Sequence, residues 1–141
     1  TAVMGSSMGG LLSYYLVTFH PDAFGACGCE STHFPLSEAV VAEYFEEIDT
    51  PDEPDETPYV VRDIESGLQV PPGARYYFDY GTDGLDAEYG PTHEAVRQWL
   101  LGQGLVEGED FVVREYEGAD HNEAAWRARI DDPLTFMFGG R

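Results

Sequence analysis

The chain has 141 residues, enough for one domain, and 43% of them are hydrophobic, with nine Tyr and eight Phe, which excludes a disordered composition. Its formal net charge is −20, from 27 acidic residues against seven basic ones, all of them Arg. A surface this acidic repels nucleic acid and anionic membranes and steers neutral or cationic molecules instead.

In chain order, residues 1–4 read as the end of a strand, followed by the turn Gly5-Ser6-Ser7-Met8-Gly9-Gly10. Leu11, Leu12, Tyr15, Leu16 and Phe19 then recur at helical spacing until Pro21 stops the helix. Residues 24–30 are short, small and apolar, as in a buried strand. They contain both cysteines, Cys27 and Cys29, expected on opposite strand faces as unbridged core residues without a metal. Residues 37–48 follow a helical pattern with Ser37 as N-cap. Residues 49–58 form an acidic loop with three prolines, and 59–67 a further short helix. Strands are expected over 75–80 and 111–116, helices over 92–103 and 122–130, and a last apolar stretch over 134–138.

Strands separated by helices predict an α/β fold with a mostly parallel sheet flanked by helices. Only four strands can be traced, so 1–141 is expected to be a partial domain that lacks its first strands and begins at the Ser7 turn. No apolar run is long enough to cross a membrane, and no signal peptide is visible. With unpaired thiols this points to a reducing, cytoplasmic setting, and neither a membrane nor a nucleic acid is expected as partner. The acidity is either a generic solvated face or an adaptation to high salt, where screening relieves carboxylate repulsion; the absence of Lys favours the second.

Gly5-Ser6-Ser7-Met8-Gly9 is a G-x-S-x-G between a strand end and a helix, the context of a nucleophile elbow. Such a turn holds Ser7 in a strained conformation, and Gly5 and Gly9 would be small because strand and helix cross closely there. The hydroxyl would stand at a helix N-terminus, with the Met8 N–H as an oxyanion donor. The bland alternative is a Gly-rich turn that cradles phosphate, but no Lys is present for a Walker loop and there is no G-x-G-x-x-G. Among the four His, His20 reads as a cap or surface group and His93 as part of a solvated helix. His33 could line a pocket, as could Tyr14 and Tyr15, although core packing explains the tyrosines equally well. His121 follows the last strand at the carboxyl edge of the sheet and is the candidate base. The carboxylate that orients it should lie between Ser and His, after a strand: Asp86 is preferred, with Asp83 as the alternative.

Gly5-Ser6-Ser7-Met8-Gly9-Gly10, His20-Pro21-Asp22-Ala23-Phe24 and Ser31-Thr32-His33 resemble segments of the putative esterase family that includes esterase D and enterochelin esterase. Tyr77-Phe78-Asp79-Tyr80-Gly81-Thr82 with Leu85-Asp86 is similar to that family's acid-bearing segment, and Gly118-Ala119-Asp120-His121-Asn122 with Trp126 to its His-bearing segment. The resemblance implies an α/β-hydrolase without cofactor or metal that cleaves small-molecule carboxylic esters or thioesters. In some members the acyl group passes to an alcohol instead, and a binding protein that keeps the fold is the non-enzymatic alternative. In that family a loop before the elbow supplies a second oxyanion donor. The chain is therefore expected to carry one of the two, as a piece of a longer product or with a partner chain, and to be impaired when isolated.

Overall fold

The computed structural model describes residues 1–45 and 47–140. Four strands form one sheet in chain order, every neighbouring pair parallel: β1 (Ala2–Ser6), β2 (Ala26–Glu30), β3 (Arg75–Gly81) and β4 (Phe111–Tyr116). Parallel neighbours require crossovers, and each crossover carries helix. Helix α1 (Met8–Phe19) joins β1 to β2; α2 (Glu38–Tyr44) and α3 (Tyr59–Glu65) join β2 to β3; α4 (Gly90–Gly102) joins β3 to β4. Helices α5 (Glu123–Arg129) and α6 (Asp131–Phe138) end the described chain. None of the described helices is long and apolar enough to cross a membrane.

The central strands β2 and β3 are buried on both sides because each face meets helices. Cys27, Cys29, Tyr76, Phe78 and Phe111 share a core with Tyr14 and Val17 of α1, Val60 of α3, and Val96, Trp99 and Leu100 of α4. On the other face α6 lies against β2 and β3, close enough that a Cβ at Gly28 would stand 2.9 Å from Met137 Cε. In register, Ser6 lies opposite Glu30 and Gly81 opposite Tyr116, so the loops after all four strands leave one edge of the sheet. A topology of this kind presents its chemistry at that carboxyl edge.

Several expectations change. Cys27 and Cys29 lie on the same face, not on opposite ones: positions i and i+2 of a strand point the same way, and the two buried thiols are neighbours. The buried stripe of α1 is Gly10, Ser13, Tyr14, Val17 and Thr18, whereas Leu12, Tyr15 and Phe19 are exposed. This helix is apolar on most of its circumference, so hydropathy alone did not select the inner face. The helix over 37–48 spans Glu38–Tyr44, with the Ser37 hydroxyl accepting from the Val40 N–H as expected of its cap; position 46 of that expectation lies outside the described residues. The apolar stretch over 134–138 is helical, in α6, with Pro133 in a first turn that needs no N–H partner there. His93 is not solvated: it is fully buried in α4, beside the rings of Phe34, Tyr80 and Tyr89.

Candidate functional site

The turn from β1 into α1 holds Ser7 at φ 56°, ψ −120°, a conformation costly for any residue with a Cβ. Three backbone bonds pin it there: Ser7 N–H donates to Glu30 O, and Ser7 O accepts from the N–H groups of Leu11 and His33. The crossing is tight at Gly5, where a Cβ would lie 2.6 Å from the backbone of Gly9. At Gly9 itself a Cβ would meet nothing within 4 Å, so the need for a small residue, expected at both positions, holds at Gly5 and not at Gly9. The strained turn lifts the Ser7 hydroxyl above the sheet edge and leaves the Met8 N–H at the first position of α1, where a helix supplies no acceptor.

His121 reaches this hydroxyl from the loop after β4. Its Nε2 is 2.9 Å from Ser7 Oγ, and its Nδ1 is 2.6 Å from Asp86 Oδ1. The next residue, Asn122, caps α5 by accepting from the Ala125 N–H, which fixes the chain just beyond the imidazole. The ring is held edge to face by Trp126, with centroids 5.1 Å apart, and by Tyr89 at 5.7 Å. Asp86 is fully buried in a short 3-10 turn (Gly84–Glu88) that sequence reading did not anticipate, and that turn folds the carboxylate back over the end of β3. Its Oδ2 accepts from the Gly81 N–H at 2.6 Å and from the Ser31 hydroxyl at 2.5 Å. A carboxylate already served by those donors accepts the Nδ1–H as well, which leaves Nε2 bare toward the serine. Asp83, the alternative, is exposed, and its carboxylate accepts from the Thr82 hydroxyl.

Beside Ser7 a cleft of about 420 Å³ is lined by His33, Leu36, Val40, Phe45, Leu85 and Tyr89, with Glu43 and Glu88 at its walls. Burial and the neighbouring His121 lower the pKa of His33, so that imidazole is neutral, and its Nδ1 lies 2.6 Å from the Tyr89 hydroxyl. Burial and then the charge of Asp86 raise the Tyr89 phenol, which therefore keeps its proton and donates it. Neither Tyr14, packed in the core, nor Tyr15, exposed on α1, lines the cleft; His20 is exposed at the end of α1. Among the described residues no group of three His, Cys, Asp or Glu converges as a metal would require.

Beneath the site lies a buried polar cluster that sequence reading missed. Arg129 donates to Asp79 Oδ1 and to Ser31 Oγ, each at 2.9 Å, and Trp126 Nε1 donates to Ser31 Oγ at 2.9 Å. The spacing of Trp126 and Arg129, which puts both on one side of a helix, was the available signal. Ser31 and Asp79 carried none, because their partners are distant in sequence. An oxygen poised on a bare imidazole nitrogen, next to a helix N-terminus and an apolar cleft, is an arrangement able to attack a carbonyl carbon and hold the charge that forms.

Comparison with known proteins supplies a family and a fold. The family described as Putative esterase matches residues 1–137. Among solved structures, the enterobactin esterase of Shigella flexneri, crystallised with 2,3-dihydroxy-N-benzoyl-glycine, superposes with a TM-score of 0.68 at 17% identity over 99% of this chain and 31% of its own. The ferric enterobactin esterase of Salmonella typhimurium gives 0.62 at 22% identity, over 99% of this chain and 30% of its own. The S-formylglutathione hydrolase of Staphylococcus aureus gives 0.60 at 17% identity, over 96% and 50%. The chain thus spans less than a third of the enterobactin esterases it matches. A search of curated proteins finds no match. With the family matched over nearly its whole length and the parallel sheet shared with these esterases, the chain belongs to the putative esterase family and has the α/β-hydrolase fold.

Proposed function

We propose that the chain carries the catalytic centre of a serine ester hydrolase, with Ser7 as nucleophile, His121 as general base and then acid, and Asp86 as the carboxylate that orients it. The observation that carries this reading is the continuous hydrogen-bonded line from Ser7 Oγ through both imidazole nitrogens to Asp86 Oδ1, at 2.9 and 2.6 Å. In the first half-reaction His121 Nε2 takes the Ser7 proton as Oγ attacks the ester carbonyl, and the Met8 N–H meets the developing oxyanion. His121 returns that proton to the leaving oxygen, which leaves an acyl-Ser7. In the second half-reaction His121 deprotonates water, water attacks the acyl carbon, and the acid departs as Ser7 regains its proton. Asp86 stays bonded to His121 Nδ1 and stabilises the imidazolium. Transfer to an alcohol would differ only in the acceptor of the second step.

The substrate class follows from the cleft and the charge. The apolar lining accepts a hydrocarbon or aromatic portion of the substrate, in keeping with the benzoyl compounds named with the enterobactin esterases. With Glu43 and Glu88 at the walls and a net charge of −20, neutral or cationic esters are favoured over anionic ones.

The test is covalent labelling of the purified protein with a fluorophosphonate, with the adduct located by mass spectrometry and p-nitrophenyl ester turnover measured in parallel. We expect an adduct on Ser7, its loss in Ser7→Ala, and turnover lowered by about 10⁴-fold or more in that variant. Folded protein that takes no label at Ser7 would mark it as a non-catalytic member of the family.

A further inference from the structure

Only two described residues other than glycine have a positive φ: Ser7, whose strain serves the elbow, and Ser31 at φ 43°. Ser31 takes no direct part in the proposed reaction. It follows β2 directly, is fully buried and does not line the cleft beside Ser7. Its N–H donates to Asp79 Oδ1 at 3.0 Å, which helps hold the unfavourable backbone in place.

The reason for that placement lies in the hydroxyl. Trp126 Nε1 and an Arg129 guanidinium nitrogen each stand 2.9 Å from Ser31 Oγ, and both groups can only donate. Together they occupy both acceptor positions of the oxygen. The single hydroxyl proton is left for the remaining neighbour, Asp86 Oδ2 at 2.5 Å. The direction of this bond is therefore set by its surroundings. Oδ2 also takes the Gly81 N–H, so two donors converge on one oxygen and prevent the carboxylate from pivoting, while Oδ1 stays on His121. The hydroxyl also stands between two charges, since the Arg129 nitrogen bonded to it is 4.0 Å from Asp86 Oδ2. Without it, the guanidinium could pair directly with Asp86 and draw the carboxylate off the imidazole.

We propose that Ser31 is a positioning residue for Asp86, with Trp126 and Arg129 fixing the direction of its proton so that one face of the carboxylate is reserved for His121. This inference rests on the catalytic reading of Ser7, His121 and Asp86.

The test is Ser31→Gly, which removes the hydroxyl and suits a positive φ, so that backbone strain is relieved rather than added. Ser31→Ala is the second variant should the glycine form fold poorly. We expect kcat to fall about 10²-fold, as for misplacement of a catalytic group, with KM unchanged. In a Asp86→Ala background the same change should cost nothing further, because the group it positions is gone; a purely structural role would cost the same in both backgrounds. Proton NMR provides an arm independent of turnover: the hydrogen-bonded His121 Nδ1–H resonance should move upfield in Ser31→Gly. Wild-type kcat in the variant, equal losses with and without Asp86, or an unmoved resonance would each overturn the proposal. Failure of the wild-type protein to label at Ser7 would instead overturn the catalytic reading, while the NMR arm still decides the role of Ser31.

Discussion

Asp83 and Asp86 bear the same functional group three residues apart, yet only Asp86 touches an imidazole. Burial makes the difference, since Asp86 is shielded from water with both oxygens occupied and Asp83 lies open to solvent. We expect Asp86→Asn to lower kcat for a p-nitrophenyl ester by about 10⁴-fold, because an amide cannot hold the required tautomer. Asp83→Asn, at a surface position, should stay within about twofold of wild type. A large loss in the Asp83 variant alone would reverse the assignment. At this scale the sequence was informative where chemistry leaves a local mark. Ser7 is betrayed by its glycines, and His121 by its position after a strand and before a capped helix. Ser31 was illegible because a serine in a loop is ordinary, and the Trp126 and Arg129 that give it meaning are more than ninety positions away. His93 was misread because Glu94, Arg97 and Gln98 make α4 look solvated, and one wet face says nothing of the opposite one.

At the scale of elements, two buried titratable groups give the fold opposing responses to pH. His93 packs the first turns of α4 against β3, with its Nδ1 2.9 Å from Tyr89 O, and burial lowers its pKa from 6.5 to about 4. Below pH 6.5 the unfolded chain binds a proton there that the folded chain refuses, so stability is lost as pH falls from 6.5 toward 4, by on the order of 3 kcal/mol in full. Glu30, at the end of β2, runs the other way. Burial and then the charge of Asp79 raise it from 4.5 to about 7, so the folded chain keeps a proton that the unfolded chain releases, and stability is lost as pH rises from 4.5 toward 7. Urea unfolding across this range should show a flatter acid limb for His93→Phe and a flatter neutral limb for Glu30→Gln. Unchanged slopes would exclude these residues as the source. All four strands were legible to within two residues, because a short apolar run bounded by Gly or Pro has few other uses. The 3-10 turn that bears Asp86 was not, because five residues are too few for a periodic signal.

Over the whole molecule, charge is the unbalanced quantity. Three arginines pair with acids at the surface, Arg62 with Glu38, Arg97 with Glu94 and Glu107, and Arg114 with Asp132, while Arg129 is buried. Most of the 27 acids therefore face one another across solvent. Their repulsion weakens as the screening length falls from about 10 Å at 0.1 M salt to about 3 Å at 1 M. The melting temperature should therefore rise steadily with NaCl over that range, and a flat or falling trend would count against the high-salt reading of the composition. Cys27 and Cys29 lend themselves to a complementary experiment. Both thiols are sealed between the sheet and α1, and burial holds the Cys29 thiol far above its ordinary pKa. A chromogenic aromatic disulfide can reach them only when the layers part, so its rate of colour change would time the opening of the core, with no dye or tag attached.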